Sequence, residues 1–213
     1  MNLDQIKEKL KELLTEKRYI HSLNVADSAK KLAEMYGADE EKAYLAGIVH
    51  DCAKYFKTDK VDYYVAKYDI ELDELEVGNI ALSHSIIGSY VAKYEFGIDD
   101  EDVISSVRYH TTGKVDMSLM EKIIYVADLI EVGRDYPGVD ELRDLAYAGD
   151  MDAAMIQSFD NTISLMIKKG NTIHPRSVAA RNFMITERKK KKREQMKYKN
   201  QCGCWLLSIC CVP

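Results

Sequence analysis

The sequence predicts an all-α bundle of roughly eight to ten helices. Three observations carry that expectation. Apolar residues recur with a helical period almost from end to end. Only 3 Pro and 11 Gly interrupt 213 residues. No hairpin dipeptide stands between alternating apolar runs, and no internal repeat is visible.

The elements follow in order. Leu3, Ile6, Leu10, Leu13 and Leu14 form the stripe of a first amphipathic helix. A second runs from about 20 to 35 and stops at Gly37, a suitable C-terminal glycine. A third spans about 39–53, with Asp39 as N-cap. A short helix at 59–67 precedes a looser acidic stretch. Helices at 79–95 and 100–110 follow, the second closed by Thr111-Thr112-Gly113. Ser118 and Glu121 make an S-x-x-E capping box for a helix reaching 131. The string GRDYPG is a loop. Helices at 139–148 and 151–169 come next, and Pro175 starts the last one.

Charge narrows the function classes. The net charge is −5, but residues 188–213 hold eight Lys/Arg and one acid. Residues 1–187 therefore hold 22 basic and 34 acidic residues, a net of −12. So acidic a body is a poor nonspecific partner for nucleic acid. It suits a protein that recruits metal cations, which in turn attract phosphates. The amphipathic N-terminus lacks the apolar core of a signal peptide. No stretch reaches the length of a membrane span. Cys52 is the one cysteine of the body, so no disulfide framework is expected and a cytoplasmic location is.

Six polar groups interrupt the apolar stripes. His84 shares a face with Ile80, Ile87 and Val91, and His110 follows Val103 and Val107. Asp128 lies four residues after Ile124, and His21 lies four before Val25. His50 follows Ala43 and Ala46, and Asp51 comes next. Each points where core residues point. A lone histidine on such a face is ordinarily a core residue with a satisfied hydrogen bond. Six costly groups on five helices call for one shared explanation, and a cation pair supplies it. Adjacent helical residues diverge by about 100°, so His50 and Asp51 can reach one cleft only near a helix end. Imidazole plus carboxylate, without thiolate, suits Fe, Mn, Co or Zn.

The order His…His-Asp…His…His…Asp, with the strings RYIHSLNVA, AGIVHDCAK, LSHSIIG, RYHTTG and VADLIEVGRDYPGV, resembles the HD superfamily of metal-dependent phosphohydrolases. Within it, these strings are similar to the YqeK-type bacterial symmetrical diadenosine tetraphosphate hydrolases, over about residues 1–185. The resemblance implies an HD-domain bundle and a dinuclear centre, most commonly iron. It assigns His21, His50, Asp51, His84, His110 and Asp128 as ligands, with none missing. Asp51 is then the bridging carboxylate.

The implied reaction is in-line attack on phosphorus of a dinucleoside tetraphosphate by a hydroxide that the metals activate, giving two ADP. Asp51 and Lys54 are the candidate catalytic residues. Lys54, three residues after Asp51, is a compact charge for a phosphate. Thr111 can bond a phosphate or orient water, and Arg134 can clamp distal phosphates. Arg18 is a further candidate. His174, in NTIHPR, lies in a region the resemblance places beside the nucleotide, although a surface histidine at a helix start, just before Pro175, is the favoured account. Two rivals share the His-Asp core: another HD phosphohydrolase acting on nucleotides or alarmones, and a nucleotide-binding regulator without turnover. The oligomeric state, monomer or homodimer, is not specified.

The chain divides at 187/188. The hydrolase domain is expected to end there. RKKKKREQMKYK and the cysteine-rich NQCGCWLLSICCVP then form a basic tail, expected to be a disordered extension rather than a membrane anchor.

Overall fold

A computed structural model describes the backbone of residues 1–208 and the side chains of residues 1–197. The described residues form ten helices and no strand: α1 (Leu3–Leu13), α2 (Glu16–Tyr36), α3 (Glu40–Val49), α4 (Thr58–Tyr68), α5 (Ile80–Tyr94), α6 (Glu101–Tyr109), α7 (Leu119–Ile130), α8 (Val139–Tyr147), α9 (Met151–Lys169) and α10 (Pro175–Ser208). The termini follow their expected chemistry. Asp39 caps α3 by accepting the N–H groups of Glu41 and Lys42. Ser118 and Glu121 close a reciprocal capping box on α7. Gly37 ends α2 in the left-handed conformation.

Helices α2, α3, α5, α6 and α7 pack on one another and bury the core, with α8–α10 along one side. The α2–α3 crossing is very close. A Cβ on Gly47 would lie 2.7 Å from the Ala26 Cα, so only glycine allows the two backbones to meet. One first-helix expectation shifts. Ile6, Leu10 and Leu14 are buried, but Leu3 is exposed, because the helix begins there and its first turn hangs beyond the core.

The composition change at 187/188 does not coincide with the end of an element. α10 continues through it. Arg188 bonds Asp150 at 2.6 Å and Lys191 bonds Asp152 at 2.6 Å, so the first basic residues lie along the start of α9. The cysteine-rich part of the expected tail lies outside the residues whose side chains are described.

Candidate metal centre

Each of the five core helices delivers one group to a common interior point. His21 comes from the second turn of α2, His84 from the second turn of α5, and Asp128 from the last turn of α7. His50 and His110 are the C-cap residues of α3 and α6, and Asp51 opens the turn after α3. The helix end thus lets His50 and Asp51 share one cleft. The rings form a chain, with centroids 5.3 Å apart for His21–His50, 4.9 Å for His50–His110 and 5.0 Å for His84–His110. All four imidazoles and Asp51 are buried, whereas 19% of the Asp128 side chain is exposed.

The outer nitrogens orient the rings. Each Nδ1 has an oxygen partner: Gly47 O for His50 (2.6 Å), Ile80 O for His84 (2.9 Å), Val107 O for His110 (2.7 Å) and Glu131 Oε1 for His21 (3.1 Å). A carbonyl only accepts, so Nδ1 of the first three carries the proton. Their Nε2 lone pairs then face inward, the arrangement a metal ligand requires.

Asp51 sits between two histidine pairs. Its Oδ2 faces His50 Nε2 at 3.4 Å and His21 Nε2 at 3.9 Å. Its Oδ1 faces His84 Nε2 at 3.0 Å and His110 Nε2 at 3.5 Å. Asp128 Oδ1 joins the first pair, 3.0 Å from His21 and 3.8 Å from His50. Three His/Asp triplets from this set have converging ligand atoms within 4.8 Å of one another.

Two of these atoms, His50 Nε2 and Asp51 Oδ1, are fully buried and make no hydrogen bond. An orphaned lone pair in one histidine pair and an orphaned carboxylate oxygen facing the other are both costly. A divalent or trivalent cation on each side of Asp51 would satisfy them, so the donor set fits a metal centre.

Electrostatics agree with this placement. Burial works to raise the Asp51 carboxyl, but with no metal bound the imidazoles of His50, His110 and His84, when they carry a proton on Nε2, hold it well below the usual carboxylate range. Burial likewise opposes ionisation of Asp128, and His21, His50 and Arg134 hold it low. Burial outweighs the Asp51 charge at His84 and pushes that imidazole down to about 4, which favours the neutral form that metal ligation requires.

The expected substrate residues divide around this centre. Arg18 donates to Asp51 Oδ2 at 2.9 Å. Arg134 donates to the Asp128 carboxylate and, at 2.7 Å, to its backbone carbonyl. Lys54 Nζ lies 3.0 Å from His84 Nε2 and 3.6 Å from Asp51 Oδ1. Thr111 Oγ1 lies 3.3 Å from His84 Nε2 and 3.2 Å from His110 Nε2. Arg18 and Arg134 thus border the His21–His50 side, and Lys54 and Thr111 the His84–His110 side.

His174 stands elsewhere and is not on the surface. It is buried, with Nε2 2.8 Å from Asp73 Oδ2 and 3.5 Å from Glu76 Oε1. These three could also surround a cation, but the tautomer is opposite. His174 Nδ1 accepts the Arg176 N–H at 3.1 Å, which puts the proton on Nε2 and directs it at Asp73.

Sequence reasoning missed Glu131. Its buried carboxylate holds His21 Nδ1, accepts from Asn24 at 3.0 Å and accepts the Gly133 N–H at 2.5 Å. Its position three residues after Asp128 was the available signal. Behind Asp51, Cys52 is fully buried. Its Sγ donates to the Gly88 carbonyl at 3.5 Å, and burial pushes the thiol upward.

A cleft of about 640 Å³ opens beside the His21 side of the centre, bordered by Lys17, Arg18, Asn24, Tyr55, Arg134 and Tyr136. No described helix is long and apolar enough to cross a membrane.

Comparison with known proteins agrees with this architecture. The HD domain model matches residues 18–133. The chain is 40% identical over 186 residues to the Bacillus subtilis protein named bis(5'-nucleosyl)-tetraphosphatase, symmetrical, covering 87% of this chain and 99% of that one. The Staphylococcus aureus protein of that name is 40% identical, over 86% of this chain and 94% of its own. The Halalkalibacterium halodurans protein is 41% identical over 189 residues, 89% of this chain and all of its own. A crystal structure from Clostridium acetobutylicum, described as a predicted HD superfamily hydrolase involved in NAD metabolism, superposes with a TM-score of 0.84 at 46% identity, covering 88% of this chain and 98% of its own. Matches of this length show that the chain belongs to the HD-domain family, in the group of the symmetrical bis(5'-nucleosyl)-tetraphosphatases.

Proposed function

We infer that this chain hydrolyses diadenosine tetraphosphate and water to two ADP, and that His21, His50, Asp51, His84, His110 and Asp128 hold the metal pair that the reaction needs. The observation that carries the metal assignment is the position of Asp51, whose two oxygens face two separate histidine pairs. The near end-to-end relatives carry the substrate assignment. Iron is the metal favoured by the family resemblance, with Mn, Co or Zn also suited to imidazole and carboxylate.

When bound, the metal pair supplies a nucleophilic water at neutral pH and polarises phosphoryl oxygens. The chain's own residues do the rest. Arg18 and Arg134 present planar donors to the polyphosphate from one side. Lys54 and Thr111 approach it from the other. Attack on one inner phosphorus breaks its bond to the central bridging oxygen, and ADP departs carrying that oxygen. Lys54 offsets the charge that develops there. Tyr55 and Tyr136 line a cleft large enough for one nucleoside diphosphate half. Cytoplasmic action on free nucleotides, without nucleic acid, fits the acidic body.

Purified protein should convert diadenosine tetraphosphate to ADP alone, with about two metals per chain by elemental analysis. Asp51→Ala should lose bound metal and lower kcat by at least about 10³-fold, the scale on which metal activation of water acts. Full activity in that variant refutes the mechanism. ATP plus AMP as products refutes symmetrical cleavage, and cleavage of NAD in preference to the tetraphosphate refutes the substrate.

A further inference from the structure

The turn after α6 carries two groups that face the centre, His110 Nε2 and Thr111 Oγ1. At this helix end the turn keeps only a few bonds of its own: His110 Nδ1 donates to the Val107 carbonyl at 2.7 Å and the Gly113 N–H to that of Tyr109 at 2.8 Å. Its back is held by other elements as well. At Gly113, with φ +64°, a Cβ would lie 2.6 Å from the Phe159 ring of α9, so the turn sits directly under that ring. Ser177, in the first turn of α10, donates to the buried Thr112 carbonyl at 2.8 Å. Arg176 donates to Thr112 Oγ1 at 3.4 Å and to Glu76 Oε1 at 3.0 Å. Glu76 is buried and its other oxygen accepts the Asp73 N–H at 2.9 Å. Asp73 in turn receives His174 Nε2.

We propose that Arg176 and Ser177 are positioning residues for the metal centre, fixing through Thr112 the turn that aims His110 and Thr111. This rests on the metal-centre reading above. The buried Thr112 carbonyl needs a donor, and Ser177 is the donor it has. Arg176 satisfies the buried Glu76 carboxylate and reaches Thr112 with the same guanidinium nitrogen. Removing either frees the turn, and a metal ligand tolerates only about 0.5 Å of misplacement.

The test is metal retention by the loaded full-length protein against a titrated chelator, with thermal unfolding followed in parallel. Ser177→Ala and Arg176→Gln should each release metal at roughly tenfold lower chelator concentration, the usual cost of losing a group that supports a ligand. Arg181→Gln serves as the reference. It breaks the Arg181–Asp160 pair farther along α10, which gives no hydrogen bond to Thr112, and should leave retention within about twofold. Unchanged retention in both test variants overturns the proposal, as does an equal loss in Arg181→Gln. Wild-type protein that holds no metal overturns it together with the metal reading. Protein that holds metal but leaves diadenosine tetraphosphate intact overturns only the substrate assignment, and differential retention then still supports the positioning role.

Discussion

Among the described residues, two His/carboxylate clusters lie in this molecule, and proton placement separates them. Around Asp51, three histidines spend Nδ1 on helix carbonyls and leave Nε2 facing inward. Around Glu76, His174 spends Nδ1 on a backbone N–H and Nε2 on Asp73. The first cluster retains unsatisfied atoms, His50 Nε2 and Asp51 Oδ1. The second is closed by Arg176, which pairs with Glu76 at 3.0 Å. Similar residue types at similar distances thus leave inward lone pairs suited to a cation in one place and make a closed clasp in the other. What each ring's outer nitrogen does decides which.

This contrast can be broken or sharpened in four ways, from the largest effect down. The first is pH. In chelated protein the His84 imidazole titrates near 4, below its ordinary value near 6.5, because burial disfavours its charged form. Its contribution to stability is therefore fully present above pH 6.5 and is lost as pH falls toward 4. Urea unfolding should show a loss on the order of 3 kcal/mol across that window, and His84→Gln should flatten it. An unchanged slope in the variant removes His84 as the cause. The depressed carboxylates Asp51 and Asp128 act below this window, their stabilisation being lost as pH falls beneath about 4.

The second is Glu131→Ala, which leaves His21 Nδ1 without its carboxylate. Metal affinity should fall roughly 10- to 100-fold. An unaltered chelator midpoint would show that His21 needs no support. The third is His174→Gln, which should cost about 1 kcal/mol in unfolding and leave KM and metal retention within about twofold. A raised KM with full metal content would return His174 to the substrate contacts. The smallest is truncation after Lys190. It removes the partly exposed Lys191–Asp152 pair, worth under about 1 kcal/mol, and should leave kcat unaltered. A large loss of activity would make the tail part of the enzyme.

The fold was legible wherever periodicity and caps agreed. Asp39, Ser118, Gly37 and Pro175 mark helix ends because each satisfies or avoids a specific backbone requirement. The converging groups were legible because polar residues at core-facing positions are costly and six of them share one explanation. Three features were not. Glu131 reads as a helix-end acid until His21, 110 residues away, is brought beside it. The burial of His174 depends on Asp73 and Glu76, in the loose segment after α4 where no period exists to read. The passage of α10 through 187/188 depends on Asp150 and Asp152, which complement basic residues that look solvated when taken alone.

The cysteine behind Asp51 has a practical consequence. Cys52 is the only cysteine before residue 202, so protein truncated after Lys190 contains a single thiol. Buried and held protonated, that thiol cannot react with an alkylating reagent until the helices around it part. Its labelling rate becomes a clock for transient opening of the protein interior at the metal centre. Metal should slow the clock by the factor with which it stabilises the closed state.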